Sequence, residues 1–175
     1  MPTPLLVVVA LGSTLGFGIA ARPAVGATVD VGLHWTFDNR PINGFSLSLG
    51  ARWDPPAGAQ ADTFPEGTRL VISRLLGTVT PCAHAWILVG CVRFELGPQQ
   101  YGSDNEVVIR NSRVVYAGVG GRLGVEVPLV PHFGLQAYGD VIAPLTTLRV
   151  DSRDGIVWQS PLVSGTVGAG VYVSF

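Results

Sequence analysis

The side chains able to do chemistry in this 175-residue chain are few, and their spacing is spare. Its histidines are His34, His84 and His132, and its cysteines are Cys82 and Cys91. Nucleophilic catalysis needs a nucleophile, a base and an orienting group within reach of one another. No Gly-x-Ser-x-Gly occurs here, and no histidine pair has metal-ligand spacing. The three histidines read as residues in or beside turns. The cysteines allow two readings. Their midpoint lies between Trp86 and Ile87, so a hairpin turning there sets them opposite each other. They can then form a disulfide if their Cα atoms come within about 7 Å. A turn centred on Ala83 and His84 would instead leave Cys82 unpaired near the turn. Two cysteines without clustered partners make no zinc site. No catalytic residue, metal site or cofactor is expected.

The charges are more suggestive. Asp30, His34, Arg52, Asp54, Arg93, Glu95, Arg122, Glu126 and Asp140 fall on the polar sides of alternating segments, and Arg74 is a candidate to join them. Acid and base are nearly matched in this set. Buried charge is tolerable only when paired. The expectation is therefore a salt-bridge and hydrogen-bond network filling an interior. A proton or substrate path is the sharper alternative.

The elements that would position these residues are strands. Val25, Ala27, Val29, Val31, Leu33, Trp35 and Phe37 alternate with Gly26, Thr28, Asp30, Gly32, His34 and Thr36. A period of two over this length is a strand with one apolar and one polar face. Similar segments run from Leu11, from Gly44 to Asp54, from Trp86 to Glu95, from Val115 to Val127 and from Phe133 to Leu145. A less regular one lies near Arg69 to Val79, and a last one spans about Ile156 to Phe175, with a bend expected at Pro161. The total is about eight, and one domain over residues 1–175 is expected.

Composition argues the same way by magnitude. Charged residues make up 13% of the chain, and hydrophobic residues 47%. A soluble domain carries roughly 25% charge, so this chain lacks a charged skin. Net charge is −1 with no basic run, which leaves nucleic-acid binding without a footprint. The uncharged start could be a secretory signal, but Met1 to Thr3 hold no positive charge. As a membrane helix it would be interrupted by Pro2, Pro4, Gly12, Gly16 and Gly18. Alternation from Leu11 favours a strand, with residues 1–10 read as disordered or as the remnant of an upstream segment. A missing signal on an exported protein would point to a fragment or a misplaced start.

The chain ends Val-Gly-Ala-Gly-Val-Tyr-Val-Ser-Phe, residues 167–175. With the Gly-rich alternating strands and the Pro81-Cys82 pair, this ending resembles the small outer-membrane β-barrel proteins of Gram-negative bacteria. The resemblance covers about Leu11 to Phe175 and includes barrels that form the C-terminal part of longer chains. It implies an all-β, antiparallel, up-and-down transmembrane barrel located in the bacterial outer membrane. It also implies outer-membrane lipid as a partner, and the barrel-assembly machinery engaged through the strand ending at Phe175. An even strand count suits such barrels.

A periplasmic C-terminus would put the polar links Pro55 to Thr68 and Gly97 to Ser112 outside the cell. Shorter links around Pro41, Pro81 and Pro128 to Pro131 would face the periplasm. Short inner turns and longer outer loops are the usual asymmetry. Trp35, Phe37, Phe45, Trp86, Phe133 and Phe175 then form an aromatic girdle near the periplasmic rim, while Trp53 and Phe17 mark the other.

Three functions remain in play. The first is a non-enzymatic barrel, structural or binding through its outer loops. The second is a membrane-embedded lipid-modifying enzyme, which a His–Ser–acid cluster on one rim would favour. The third is a soluble, lipocalin-like ligand-binding barrel with its apolar face inward.

Overall fold

The structure is a computed structural model describing residues 5–18, 23–37, 42–60, 69–103, 112–147, 149–152 and 155–175. The strands are β1 (Leu5–Phe17), β2 (Ala24–Thr36), β3 (Gly44–Gln60), β4 (Arg69–Ala85) and β5 (Leu88–Ser103). They continue as β6 (Ser112–Val130), β7 (Phe133–Pro144), β8 (Arg149–Ser152), β9 (Gly155–Gln159) and β10 (Ser164–Ser174). Eight of them close into one antiparallel up-and-down barrel in the order β1-β10-β7-β6-β5-β4-β3-β2, and β8 pairs with β9 apart from the wall. The seam is a full ladder, running from Val8↔Ser174 to Phe17↔Gly165.

The side-chain alternation decides which face is inside. In β2 the pattern buries Ala24, Gly26, Thr28 and Asp30 and turns Val25 and Val29 outward. Around the wall Leu49 is 61% exposed, Leu123 77% and Val141 61%, while Arg52 and Arg93 inside are 1% exposed. Such a continuous apolar exterior is untenable in water and suits lipid. The soluble, lipocalin-like alternative is therefore overturned, because the apolar face is the outer one.

Several boundaries differ from the sequence expectation, and proline explains most of them. Pro81 is no link. It lies within β4, and the hairpin turns at Trp86–Ile87 instead. The β4–β5 ladder keeps one register but lapses between Val79↔Phe94 and Cys82↔Cys91, so no pairing is asked of Pro81 on that side. It lapses again between Arg74↔Gln99 and Gly77↔Leu96, which spares Pro98. Pro55 and Pro56 stand at the register shift between Asp54 and Ala57, beyond which β3 runs on to Gln60. Pro128 stands at the shift that precedes Val130 near the end of β6. A residue without an N–H is accommodated where the ladder lapses. Gly97 to Ser103 likewise belongs to β5 rather than to a loop, and residues 61–68 and 104–111 lie outside the described residues. The single last strand is in fact two, β9 and β10, separated at 160–163 around Pro161.

The turn at Trp86 carries positive φ (60°), the place where a hairpin normally uses glycine. The Trp86 amide donates to Asn43 Oδ1 (3.2 Å), which ties this turn to the neighbouring link.

An arginine in place of Leu49, outward on the wall, should weaken folding into bilayers by about 2–4 kcal/mol. Urea titration of the barrel in lipid vesicles measures it. An unchanged midpoint would mean that this face does not meet lipid.

Candidate functional site

The lumen is where the charges meet. Residues two apart on a strand share a face, so Arg52 and Asp54 of β3 both point inward, as do Arg93 and Glu95 of β5. Arg52 Nε donates to Asp54 Oδ1 at 2.9 Å, and Arg74 Nη2 donates to Asp54 Oδ2 at 2.8 Å. Arg93 Nε donates to Glu95 Oε1 at 2.9 Å, with Arg52 Nη1 4.0 Å from the same oxygen. Arg122 grips Asp140 through two bonds of 2.7 and 2.9 Å, and Arg93 Nε lies 3.8 Å from Asp140 Oδ2. The result is one alternating chain, Arg74–Asp54–Arg52–Glu95–Arg93–Asp140–Arg122. It crosses the barrel from β3 to β7. The Arg122 guanidinium also lies 3.6 Å from the Tyr138 ring centre, and that of Arg74 lies 5.0 Å from Tyr116's.

Asp30 stands beside this chain rather than in it. Its hydrogen-bond partner is Thr78 Oγ1 at 3.5 Å, and the nearby opposite charges are Arg93 and Arg122. A Cβ on Gly50 would collide with the Asp30 carboxylate and with the Val29 carbonyl, and the latter, being backbone, cannot swing aside. Gly168 is constrained in the same way by the Tyr138 ring.

His34 and Glu126 belong to a second group nearer the short-turn rim. The His34 and His84 rings stack with centroids 4.2 Å apart. Ser46 Oγ lies 2.8 Å from His84 Nε2, and Glu126 Oε2 lies 3.5 Å from His84 Nδ1. His132 is apart, with Nδ1 donating to the Ser174 carbonyl at 3.0 Å. Sequence reasoning missed this group. Reading Pro81 as a link puts His84 in a turn. The observed register sets His84 opposite Gly44 and Cys82 opposite Ser46, which leaves Ser46 and His84 diagonal on one inner face. These groups line a cavity of about 240 Å³ that also takes in Leu6, Val8 and Val89. No cluster of three or more metal-ligating residues occurs among the described residues.

Cys82 and Cys91 are joined by a disulfide across β4 and β5, with Cα atoms 4.0 Å apart. Trp35 pairs with Phe45 in register, and Phe37 meets Phe45 edge-on at 5.8 Å. Trp86, Phe133 and Phe175 share that short-turn end, while Trp53 and Phe17 face outward toward the other. Phe94 faces lipid between them, paired with Val79 and Val119.

Solved structures share this architecture. A major outer-membrane protein of Thermus thermophilus aligns with TM-score 0.57 and 12% identity, over 97% of this chain and 99% of that one. Ail, the attachment invasion locus protein of Yersinia pestis, aligns with TM-score 0.54 and 11% identity over the whole of both chains. No family model matches the chain. No curated protein matches it either. The fold is that of the small bacterial outer-membrane barrels, and the apolar outer wall suits lipid.

Asp54 is the counter-ion of two buried arginines. Asp54→Asn should destabilise the folded barrel by about 3–5 kcal/mol, as expected when one member of a buried ion pair is removed. Urea unfolding followed by heat-modifiable gel mobility measures it, and a loss below about 1 kcal/mol would mean that the ion pairs do not hold the lumen together.

Proposed function

We propose that this protein is an outer-membrane barrel whose outward role is non-enzymatic binding through its projecting hairpins. One observation carries the reading. Strands β3 to β6 are 16 to 19 residues long, whereas β1, β2, β7 and β10 have 11 to 13. A spanning strand needs about 9–11 residues, so four neighbouring strands continue well past the bilayer. Their backbone pairing persists to Gln60↔Arg69, Leu70↔Ser103 and Tyr101↔Ser112. The β8–β9 hairpin rises at the same end. Long connections face outward in such barrels, and paired strands hold a presented surface better than a free loop does.

A filled lumen supports this reading against a pore, since an eight-stranded interior is about filled by its own side chains. The last strand engages the assembly machinery through its outward aromatic residue in this proposal, Phe175 being 71% exposed.

Cells of a non-adherent strain carrying the intact barrel should adhere to epithelial monolayers several-fold more than cells carrying a trimmed one. In the trimmed barrel, residues 58–70 and 102–112 are replaced by tight turns. Both should keep a heat-modifiable band. Equal adherence at equal surface display would sink the binding reading.

A further inference from the structure

We propose that Ser46, His84 and Glu126 form an ester-hydrolysing site in the short-turn mouth of the barrel, with Ser46 as nucleophile. It adds an activity at the opposite end from the hairpins, and it stands or falls independently of them.

The geometry meets the general requirement for an activated serine. The Ser46 hydroxyl is 2.8 Å from His84 Nε2, and Glu126 Oε2 is 3.5 Å from the other ring nitrogen. Nucleophile and base in contact, with a carboxylate behind the base, is the recurrent signature, and distances in unliganded sites run long. With Nε2 accepting from Ser46, Nδ1 carries the proton and faces Glu126, so the tautomer suits both contacts. His84 is 5% exposed, with the His34 ring stacked on it. The imidazole is therefore held in one orientation and shielded on that face.

The site is also placed where a substrate could meet it. All three side chains line the 240 Å³ cavity, which reaches the mouth at Val130 and Pro131. Its apolar patch of Leu6, Val8 and Val89 can take a short acyl chain. The Cys82–Cys91 bond fastens β4 to β5 two residues from His84. That bond limits how far His84 can drift from β6, where Glu126 sits. An interior hydrogen bond alone would not require a carboxylate on the far nitrogen, nor an apolar cavity beside the hydroxyl.

The reaction balances without any cofactor. Ser46 Oγ bonds to the carbonyl carbon of an ester while its proton passes to His84 Nε2. The carbon–oxygen bond to the alcohol breaks, and the alcohol leaves with the proton from His84. Water then attacks the acyl-serine and gives its proton to His84. The acid departs as that proton returns to Ser46. Ester and water become acid and alcohol. Ser46 and His84 are the catalytic residues, and Glu126 is a positioning residue acting through His84.

The full chain, folded in detergent and checked by heat-modifiable mobility, is treated with a fluorophosphonate and with p-nitrophenyl butyrate. One adduct should appear by intact mass and map to Ser46. Ester hydrolysis should show a burst of one equivalent. Ser46→Ala should abolish both, and His84→Gln should slow labelling by about 100-fold. Glu126→Gln should slow it less, and Glu126→Asp should restore most of the rate, which a merely structural role would not do. An unlabelled folded barrel would overturn the proposal, and so would labelling that persists in Ser46→Ala. Either outcome leaves the hairpin reading untouched.

Discussion

A chain in a bilayer has no water to satisfy its backbone, so every N–H and C=O in the membrane must find a partner in the chain. Most of what this structure does follows from that constraint. The ladder between β1 and β10 removes the free edges, and Gly12 and Gly170 let the two strands meet there without side chains in the way. Closure also fixes the inside and the outside. Once eight strands form a ring, every second residue must face a lumen too narrow to stay empty. The glycines and the arginine–carboxylate chain are two answers to that filling problem. Tyr138 and Tyr172 lie over Gly168 and Gly134, where any side chain would meet the ring.

The paired charges solve the same problem at greater electrostatic cost. Four guanidinium groups and three carboxylates alternate across the lumen, so each carboxylate serves two arginines. Such a chain leaves one positive charge in excess, and Asp30 lies near Arg93 and Arg122, where that excess sits. Asp30 is 8% exposed and makes no direct ion pair among the described residues. The network adds more than neutrality. It links β3, β4, β5, β6 and β7 through side chains, whereas the backbone ladder links only neighbours. The price of that cross-bracing is sensitivity, because losing one acid exposes two cations to an apolar surrounding.

The wall was plain in the residues, and the contacts inside it were not. Alternation at Val25 to Phe37 and at Phe45 to Trp53 needs no partner to be read, since it reflects the pleat of a single strand. Register is different. It depends on where turns fall, and a slip of one residue inverts every face. Proline is where local pattern and register part. Proline usually ends a strand, yet at Pro81 a lapse in one neighbouring ladder is enough to hold it within β4. Placing the turn at Trp86 rather than near Pro81 moves His84 from a loop into β4. The residues that meet there come from β2, β3, β4 and β6, and no local pattern relates Ser46 to Glu126.

The two ends of the barrel are built differently. At the hairpin end, backbone pairing carries four strands past the membrane, and the order there is in the main chain. At the short-turn end the connections are brief, as at Trp86–Ile87 and Pro131–His132, so the lumen lies open behind them. A cavity can persist at that end because the side chains around it are small or held to one wall. Ser46, Ser48 and Thr80 leave space, while the two stacked imidazoles take up one side. Further in, the guanidinium groups span the bore and close it. A polar cluster beside an apolar recess, sealed from below, is therefore a consequence of where the arginines stop. Chemistry at that mouth needs no distortion of the wall, since each of its side chains already points inward by the alternation that makes the barrel.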